Sequence, residues 1–299
     1  MYLSHRDTEP LFDLTPFGRP FLLEGGIYAT REARPAPDFH AHAGYQLHYM
    51  LTGNMTRELK DGARQRLHGG DISVVQPRVQ HRGEHGVARP CRFISLELAP
   101  GAAKLNPLFA ASEAAGILRT LKTADNCVMH ARAEQAAVVQ QLQGAMRGTD
   151  GKAAGMQQAG WIRMLLAQLV LCAVRAIVQP EPPPHYHVIA KACALIHKNE
   201  TGDLTAGQIA AQVSLSPSRF RELFREVTGQ TVAHYRLSLR CEAAARKLIQ
   251  STQPITRIAH ELGFSSSQYF TRSFRRYMGL TPTAWRERST ATARPAGRQ

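Results

Sequence analysis

Three histidines in the first third of the chain have the spacing of a metal or ligand site. His40 and His42 are separated by one residue, so on a β-strand both side chains point to the same face. His81 follows on a later strand, and the three imidazoles together would suit one divalent metal ion. Alternatively, these histidines and the nearby Gln46 hydrogen-bond inside a pocket for a small ligand, or lie at its rim.

A second group of polar side chains, in the C-terminal third, suits the recognition of nucleic-acid bases. Arginine can pair with guanine, glutamine with adenine, and glutamate can accept a hydrogen bond from cytosine. These side chains occupy two segments predicted to be helices, where the later arginines suit phosphate contacts. The residues are Ser218, Arg221, Glu222, Arg225, Gln268, Tyr269, Arg272, Arg275 and Arg276.

The two predicted helices belong to a pattern that occurs twice, as IAAQVSLSPSRFRELFREVTG and as IAHELGFSSSQYFTRSFRRYMG. Each copy indicates a short amphipathic helix, a turn rich in Ser and a second helix that ends at Gly. Phe220 and Phe224 recur as Phe270 and Phe274, on the face opposite the polar side chains. This is the form of a helix-turn-helix, whose second helix can enter a DNA major groove. One continuous helix at residues 231–250 should hold the two copies at a fixed separation.

Positive charge is concentrated in the same third of the chain. The formal net charge is +14, and residues 188–299 hold 17 Lys and Arg against 7 Asp and Glu. Residues 1–187 hold 20 against 16, so the C-terminal part carries +10 and the rest +4. This balance suits a polyanionic partner, because neutralising phosphates supplies most of the non-specific affinity for DNA.

Cysteine usage and the N-terminus indicate a cytoplasmic protein. The five cysteines are scattered without a CxxC pair, which favours neither a zinc cluster nor a disulfide framework. The N-terminal residues include Asp7 and Glu9 and have no apolar core, unlike a signal peptide. The longest apolar run, residues 164–178, is interrupted by Gln168 and Arg175, and we expect it not to span a membrane.

The histidines lie in a region of short predicted strands. Apolar or alternating segments cover residues 45–51, 55–59, 72–75 and 91–98, and Gly53-Asn54 and Asp61-Gly62 are turn signals. Strands at this spacing predict a small all-β barrel or sandwich.

The region also resembles the two cupin motifs, in which a barrel carries HxH, a glutamate three residues on and a later histidine. The matching residues are His40, His42, Gly53, Gly70, Asp71, Pro77 and His81. The resemblance implies a jelly-roll barrel around a ligand cavity. Gln46 stands at the position of the glutamate, supplies no negative charge and would be a weaker metal ligand.

Helical patterns follow at residues 131–146 and 159–178. The second is apolar around much of its circumference, which predicts burial against the barrel and contact with a second copy of the chain. A fully intramolecular helical pair is the alternative. We expect an α+β protein, divided into a cupin-like effector-binding domain (1–104), a helical dimerisation segment (105–178), a Pro-rich linker (179–187), an all-α DNA-binding domain with two helix-turn-helix motifs (188–288) and a disordered tail (289–299).

The segment IAHELGFSSSQYFTRSFRRYMGLTPTAWR matches the signature of AraC/XylS-family transcription regulators almost throughout, including its Gly263-Phe264, Gly279 and Pro282. The resemblance implies two recognition helices in successive major-groove segments on one face of double-stranded DNA. It also implies an N-terminal half that binds a small-molecule effector and forms a homodimer, and contacts with RNA polymerase in many members.

We therefore interpret the chain as a sequence-specific, effector-responsive activator that is not an enzyme and has no membrane partner. Two alternatives remain open. One is a metal-dependent cupin enzyme fused to a DNA-binding domain, which would contain a divalent metal held by His40, His42 and His81. The other is a repressor that responds to no ligand.

Overall fold

The structure is a computed structural model that describes residues 11–35, 38–84, 87–105, 107–130, 133–146, 155–180, 185–199 and 204–293. The chain forms two compact units. The first comprises Met1–Ala29, Ala36–Gly86 and Cys91–Pro184; the second comprises Thr30–Pro35, Val87–Pro90 and His185–Gln299. The two units correspond to the two halves of the predicted α+β protein, one with an antiparallel sheet and the other helical.

The first unit is built on antiparallel strands. The strands are, in chain order, β1 (Phe12–Asp13), β2 (Leu22–Thr30), β3 (Arg34–Pro35), β4 (Tyr45–Leu59), β5 (Arg64–His68), β6 (Asp71–Val75), β7 (His81–Gly83), β8 (Val87–Ala88), β9 (Cys91–Leu98) and β10 (Val128–His130). Within the described residues, the main sheet has the order β1-β2-β9-β4-β6-β10, and β5 and β7 also pair with β4. β10 was not predicted, because its three residues lie within a stretch of helical pattern.

The central strand β4 continues through Gly53-Asn54, where the sequence predicts a turn. A bulge between Met50 and Thr52 shifts its register with β9, and Gly53 has a φ of 84°, which glycine adopts without steric cost. The strand therefore bends and exchanges partners, pairing first with β6 and β9 and then with β5 and β7. The predicted turn is wrong because a glycine between apolar segments also marks a bulge. The hairpin predicted at Asp61-Gly62 is confirmed.

Five helices accompany the sheet in the described part of the first unit: α1 (Thr15–Gly18), α2 (Ala102–Leu105), α3 (Ala111–Thr123), α4 (Ala133–Met146) and α5 (Met156–Val178). One face of α5 lies in the main core through Ile162, Leu166 and Leu169. The Tyr49 hydroxyl of β4 donates a hydrogen bond to the Leu169 carbonyl at 2.8 Å. These contacts confirm that the apolar helix packs on the sheet.

The 23-residue α5 is long and apolar enough, by length and composition alone, to cross a membrane. It begins eight residues before the apolar run at 164–178, so the length of that run underestimates the helix. Its most apolar window has a mean hydropathy of 1.8, but 44% of that window is buried against the protein core. Such packing is typical of the core helix of a globular domain.

The second unit contains the remaining described helices: α6 (Tyr186–Lys198), α7 (Ala206–Gln212), α8 (Pro217–Thr228), α9 (Val232–Gln250), α10 (Ile255–Glu261), α11 (Ser267–Met278) and α12 (Pro282–Ala293). They enclose two separate apolar cores. The N-terminal half of α9, with Tyr235 and Leu239, completes the core of α6, α7 and α8. The C-terminal half, with Ala244 and Leu248, completes the core of α10, α11 and α12. One helix thus joins the two predicted motifs.

The unit boundary between Pro184 and His185 falls inside the expected linker, of which residues 181–184 lie outside the described residues. α12 continues to Ala293, past the expected end of the DNA-binding domain at residue 288. Residues 294–299 of the expected tail lie outside the described residues.

Candidate functional site

The two candidate recognition helices, α8 and α11, begin and end in the same way. Ser216 is the N-cap of α8, and its hydroxyl accepts a hydrogen bond from a first-turn backbone N–H at 3.3 Å. Ser266 does the same for α11 at 3.1 Å. Each helix ends at a glycine in the left-handed region, with φ of 69° at Gly229 and 77° at Gly279. Both helices are 12 residues long.

A pair of phenylalanines fixes the rotation of each helix about its axis. Phe220 and Phe224 of α8, and Phe270 and Phe274 of α11, are all fully buried. The ring centroids of each pair are 5.5 Å apart. Since residues four apart share one face of a helix, both helices turn the opposite face outward.

The nine residues predicted to contact DNA all lie on these two outward faces. Each of them is exposed: Ser218, Arg221, Glu222 and Arg225 on α8, and Gln268, Tyr269, Arg272, Arg275 and Arg276 on α11. The faces differ in charge, because Glu222 of α8 occupies the position that Arg272 occupies in α11. The two helices are therefore alike in backbone and unlike in the chemistry that they present.

Arg219 is a further member of the α8 surface that was not predicted from the sequence. Its guanidinium donates a hydrogen bond from Nη1 to the Glu222 carboxylate at 2.7 Å. A surface pair of this kind contributes at most about 1 kcal/mol, so a base or phosphate can replace either partner. The spacing of three residues on one helix was the signal for this pair.

The outward face of α11 borders an open cavity of about 990 Å³ within the second unit. Gln268, Arg272 and Arg275 line it together with Arg31 and Glu32. The segment at residues 30–35 reaches α11 through a backbone hydrogen bond from the Ala33 N–H to the Arg276 carbonyl, 2.7 Å long. No local sequence pattern indicates this contact, which joins residues far apart in the chain.

The three predicted histidines lie together in the first unit. A backbone bridge pairs His40 with His81, through N–H···O bonds of 3.0 and 2.9 Å. The ring centroids of His40, His42 and His81 are 4.6 to 5.2 Å apart. One ring nitrogen from each lies within 4.8 Å of the others. The structure therefore brings the three predicted histidines together. The strand expected through His40 and His42 is wrong, because His40 forms only an isolated bridge and His42 precedes β4.

The contacts of the second ring nitrogen are of the kind that orients metal-binding histidines. Nδ1 of His40 lies 2.9 Å from the carbonyl of Asp38, and Nδ1 of His81 lies 3.0 Å from that of Val79. A carbonyl can only accept, so each Nδ1 carries the proton and each Nε2 carries a lone pair. Metal-binding histidines usually hold their other nitrogen in this way. Burial lowers the pKa of His81 to about 2, and nearby Arg57 and His40 reinforce the shift, so this ring is neutral.

Glu97 and Gln46 complete the surroundings of His42. Nδ1 of His42 is 3.5 Å from the Glu97 carboxylate, and the Gln46 side-chain nitrogen is 2.9 Å from its Nε2. Burial alone would raise the pKa of Glu97, but the bonds from His42 and from the Gly44 N–H hold it below the usual value. Gln46 therefore contacts a histidine where the cupin motif has an acid. Glu97 was missed, although it is the acidic residue of a largely apolar predicted strand.

Family models match this chain in both units, and known proteins resemble parts of it. A model described as an AraC-like ligand binding domain matches residues 24–159, and one described as a helix-turn-helix domain matches residues 209–288. The arabinose operon regulatory protein of Escherichia coli (strain K12) is 32% identical over 123 residues, covering 41% of this chain and 42% of that protein. The transcriptional activator RhaR of Klebsiella pneumoniae subsp. pneumoniae is 33% identical over 134 residues, covering 44% and 47%.

These alignments span less than half the length of either regulator. A solved structure of a transcriptional regulator from Chromobacterium violaceum, with an AraC-type DNA-binding domain, is 28% identical. That match covers 34% of this chain and 92% of that one, with a TM-score of 0.34. The ligand-binding and helix-turn-helix models match successive parts of one chain, which therefore belongs to the AraC family of transcription regulators.

Proposed function

We propose that this protein is a cytoplasmic, sequence-specific transcription regulator that binds DNA through α8 and α11 and responds to an effector held in the first unit. The observation that carries the proposal is the pair of helices with identical caps, buried Phe pairs and exposed polar faces. The resemblance to proteins named as a regulator and an activator supports activation of transcription and disfavours an enzyme. Contact with RNA polymerase is part of this proposal.

The length of α9 supports simultaneous binding of both helices. Its 19 residues span about 28 Å at 1.5 Å per residue. Successive major-groove segments on one face of DNA are about 34 Å apart. A single uninterrupted helix of this length holds α8 and α11 at a separation suited to that repeat.

The experiment that tests the proposal selects duplexes from a random DNA library with the wild-type protein and with Arg272→Ala. Loss of a bidentate contact from Arg272 to guanine should cost about 1–3 kcal/mol on the best wild-type site and relax preference at one or two adjacent positions. Arg276→Ala is the matched control, because a lost phosphate contact weakens all sequences equally. Uniform weakening by Arg272→Ala would instead assign Arg272 to a phosphate.

The histidine site is a candidate for a resident divalent metal, which would be held by His40, His42 and His81. Neutral imidazoles suit Zn²⁺, Cu²⁺, Ni²⁺ or Fe²⁺, and their Nδ1 contacts preset the orientation of the rings. When bound, such an ion would supply a Lewis acid that ligand oxygens can bind. The residues themselves position the ring nitrogens.

We expect purified protein to contain a stoichiometric transition metal and to lose it in His81→Ala, as measured by elemental analysis. His187→Ala is the control, because His185 and His187 have the same HxH spacing but are exposed. Metal loss should also lower the melting temperature of wild-type protein and leave that of His81→Ala unchanged. Equal metal contents in the two variants would leave the histidines as polar lining of an effector pocket.

An apolar stripe on α5 supports a homodimer. Trp161, Met164, Leu171 and Val178 are each at least 45% exposed, on the side of α5 away from the core. Three of them are seven residues apart, the spacing with which two helices pair along a seam. A second copy of this chain would cover these side chains with an identical stripe.

Leu171→Glu should convert the dimer into a monomer, because the seam would then bury two like charges. Sedimentation analysis measures the change, and Arg119→Glu on the exposed surface of α3 is the control. A dimer that survives Leu171→Glu at micromolar concentration would place the subunit contact elsewhere.

A further inference from the structure

Arg57 is a cation in the interior of the first unit whose described partners are all neutral. It lies in the second half of β4, opposite Gln65 of β5, and its side chain is 2% exposed. Nη1 donates to the Gln65 Oε1 at 2.8 Å and to the Ser73 Oγ at 3.1 Å. Nη2 contacts Nδ1 of His48.

The nearby carboxylates are engaged with other bases. Within the described residues, no carboxylate oxygen lies within 4.0 Å of Arg57. The neighbouring Glu58 pairs with Arg82 at 3.0 Å, and the buried Glu84 is 3.5 Å from Arg64. Asp71 contacts His68 and His130, and Glu97 contacts His42. The positive charge of Arg57 is therefore not balanced by any of these acids.

An unbalanced buried charge is costly for a folded protein. Removing an ion from water is penalised unless an opposite charge or a full set of hydrogen bonds compensates. A guanidinium has five N–H donors, and three hydrogen bonds to neutral acceptors leave its charge uncompensated. Burial lowers the pKa of Arg57 to about 9, so the group is still protonated at neutral pH. A bound anion would supply the missing negative charge.

We propose that the interior of the first unit binds a small carboxylate ligand, with its carboxylate paired to the guanidinium of Arg57. This inference rests on the proposed function, in which the ligand is the effector. The planar guanidinium fork matches a carboxylate in two parallel hydrogen bonds. Gln65, Ser73 and His48 hold the fork in place, and the bound anion supplies the missing counter-charge.

The histidine site lies in the same interior. β7 pairs with β4 so that Arg57 lies opposite Gly83 and Leu59 lies opposite His81, and His81 in turn pairs with His40. Arg57 and His81 therefore lie on the same face of two neighbouring strands. The other end of a ligand anchored at Arg57 would therefore contact the histidines of this site. Where a metal ion is bound there, the ligand would contact the ion as well. This arrangement favours ligands with a second oxygen-bearing group over simple monocarboxylates.

The test is thermal unfolding of the full-length protein without DNA, in acetate, succinate, phosphate or chloride at matched ionic strength. Succinate should raise the wild-type melting temperature above that in chloride by at least about 2 °C, with acetate weaker. Arg57→Met should abolish this increment, whereas Arg119→Met, an exposed arginine on α3, should retain it.

Arg57→Lys keeps the charge, loses the fork and should show a reduced increment, so the test holds even if Arg57→Met fails to fold. Equal increments in the wild type and in the Arg57 variants would overturn the proposal, as would stabilisation by phosphate alone. Failure of the proposed function would be seen separately, as loss of sequence-specific DNA binding by a wild-type protein that still shows the succinate increment.

Discussion

Raising the salt concentration from 50 to 200 mM is expected to weaken DNA binding by on the order of a thousandfold. The two outward faces carry six exposed arginines: Arg219, Arg221, Arg225, Arg272, Arg275 and Arg276. Each neutralised phosphate releases condensed counterions. Because Arg272 is assigned to guanine, the other five arginines are the phosphate contacts, and they give a slope of about −4.5 in log affinity against log salt. Fluorescence anisotropy on a mixed-sequence duplex measures this slope.

The size of this slope also shows whether one or both of the helices α8 and α11 contact DNA. Arg276→Gln should reduce it by about one, because one phosphate contact is lost. Arg163→Gln, on α5 of the first unit, should leave it unchanged. A slope nearer −2 would mean that only one of the two helices contacts DNA, and a flat response would contradict the polyanionic partner altogether.

Local signals explain why the second unit was predicted more closely than the first. Ser216, Ser266, Gly229 and Gly279 each fix a helix end through contacts within a few residues. A helical period of buried phenylalanines then determines which face points outward. The cap residues and the spacing of the phenylalanines both lie within one short segment. They can therefore be recognised in the sequence without knowing how distant segments pack.

The first unit depends on pairing between distant strands, which local patterns do not specify. The HxH spacing placed His40 and His42 on one face, and their approach to His81 was predicted from the cupin resemblance. The Glu97 carboxylate meets His42 from a strand 55 residues on, and Arg57 meets Ser73 from another strand. Neither contact follows from spacing alone. The continuity of β4 through Gly53 was likewise ambiguous, since the same residue serves a turn or a bulge.

Because the second unit has two separate cores, a substitution in one core should strongly destabilise only the helices that surround it. Phe274 is fully buried, and its ring lies 5.8 Å from that of Trp285, which joins α12 to the core. The Trp285 indole N–H donates to the Ala245 carbonyl of α9 at 3.4 Å. Truncating a buried phenylalanine removes its apolar contacts and leaves a cavity, so Phe274→Ala should cost about 3–5 kcal/mol of unfolding free energy.

The loss should be local to α10, α11 and α12, because α9 presents different residues to each core. Hydrogen exchange should show faster opening of these helices in Phe274→Ala, with α7 and α8 protected as in the wild type. Phe224→Ala should give the converse pattern, and Phe274→Leu, which leaves a smaller cavity, should cost less than Phe274→Ala. If either alanine variant opened all the helices together, the two halves would form one cooperative unit. In that case α9 would transmit destabilisation from one recognition helix to the other, and the two DNA contacts would be lost together.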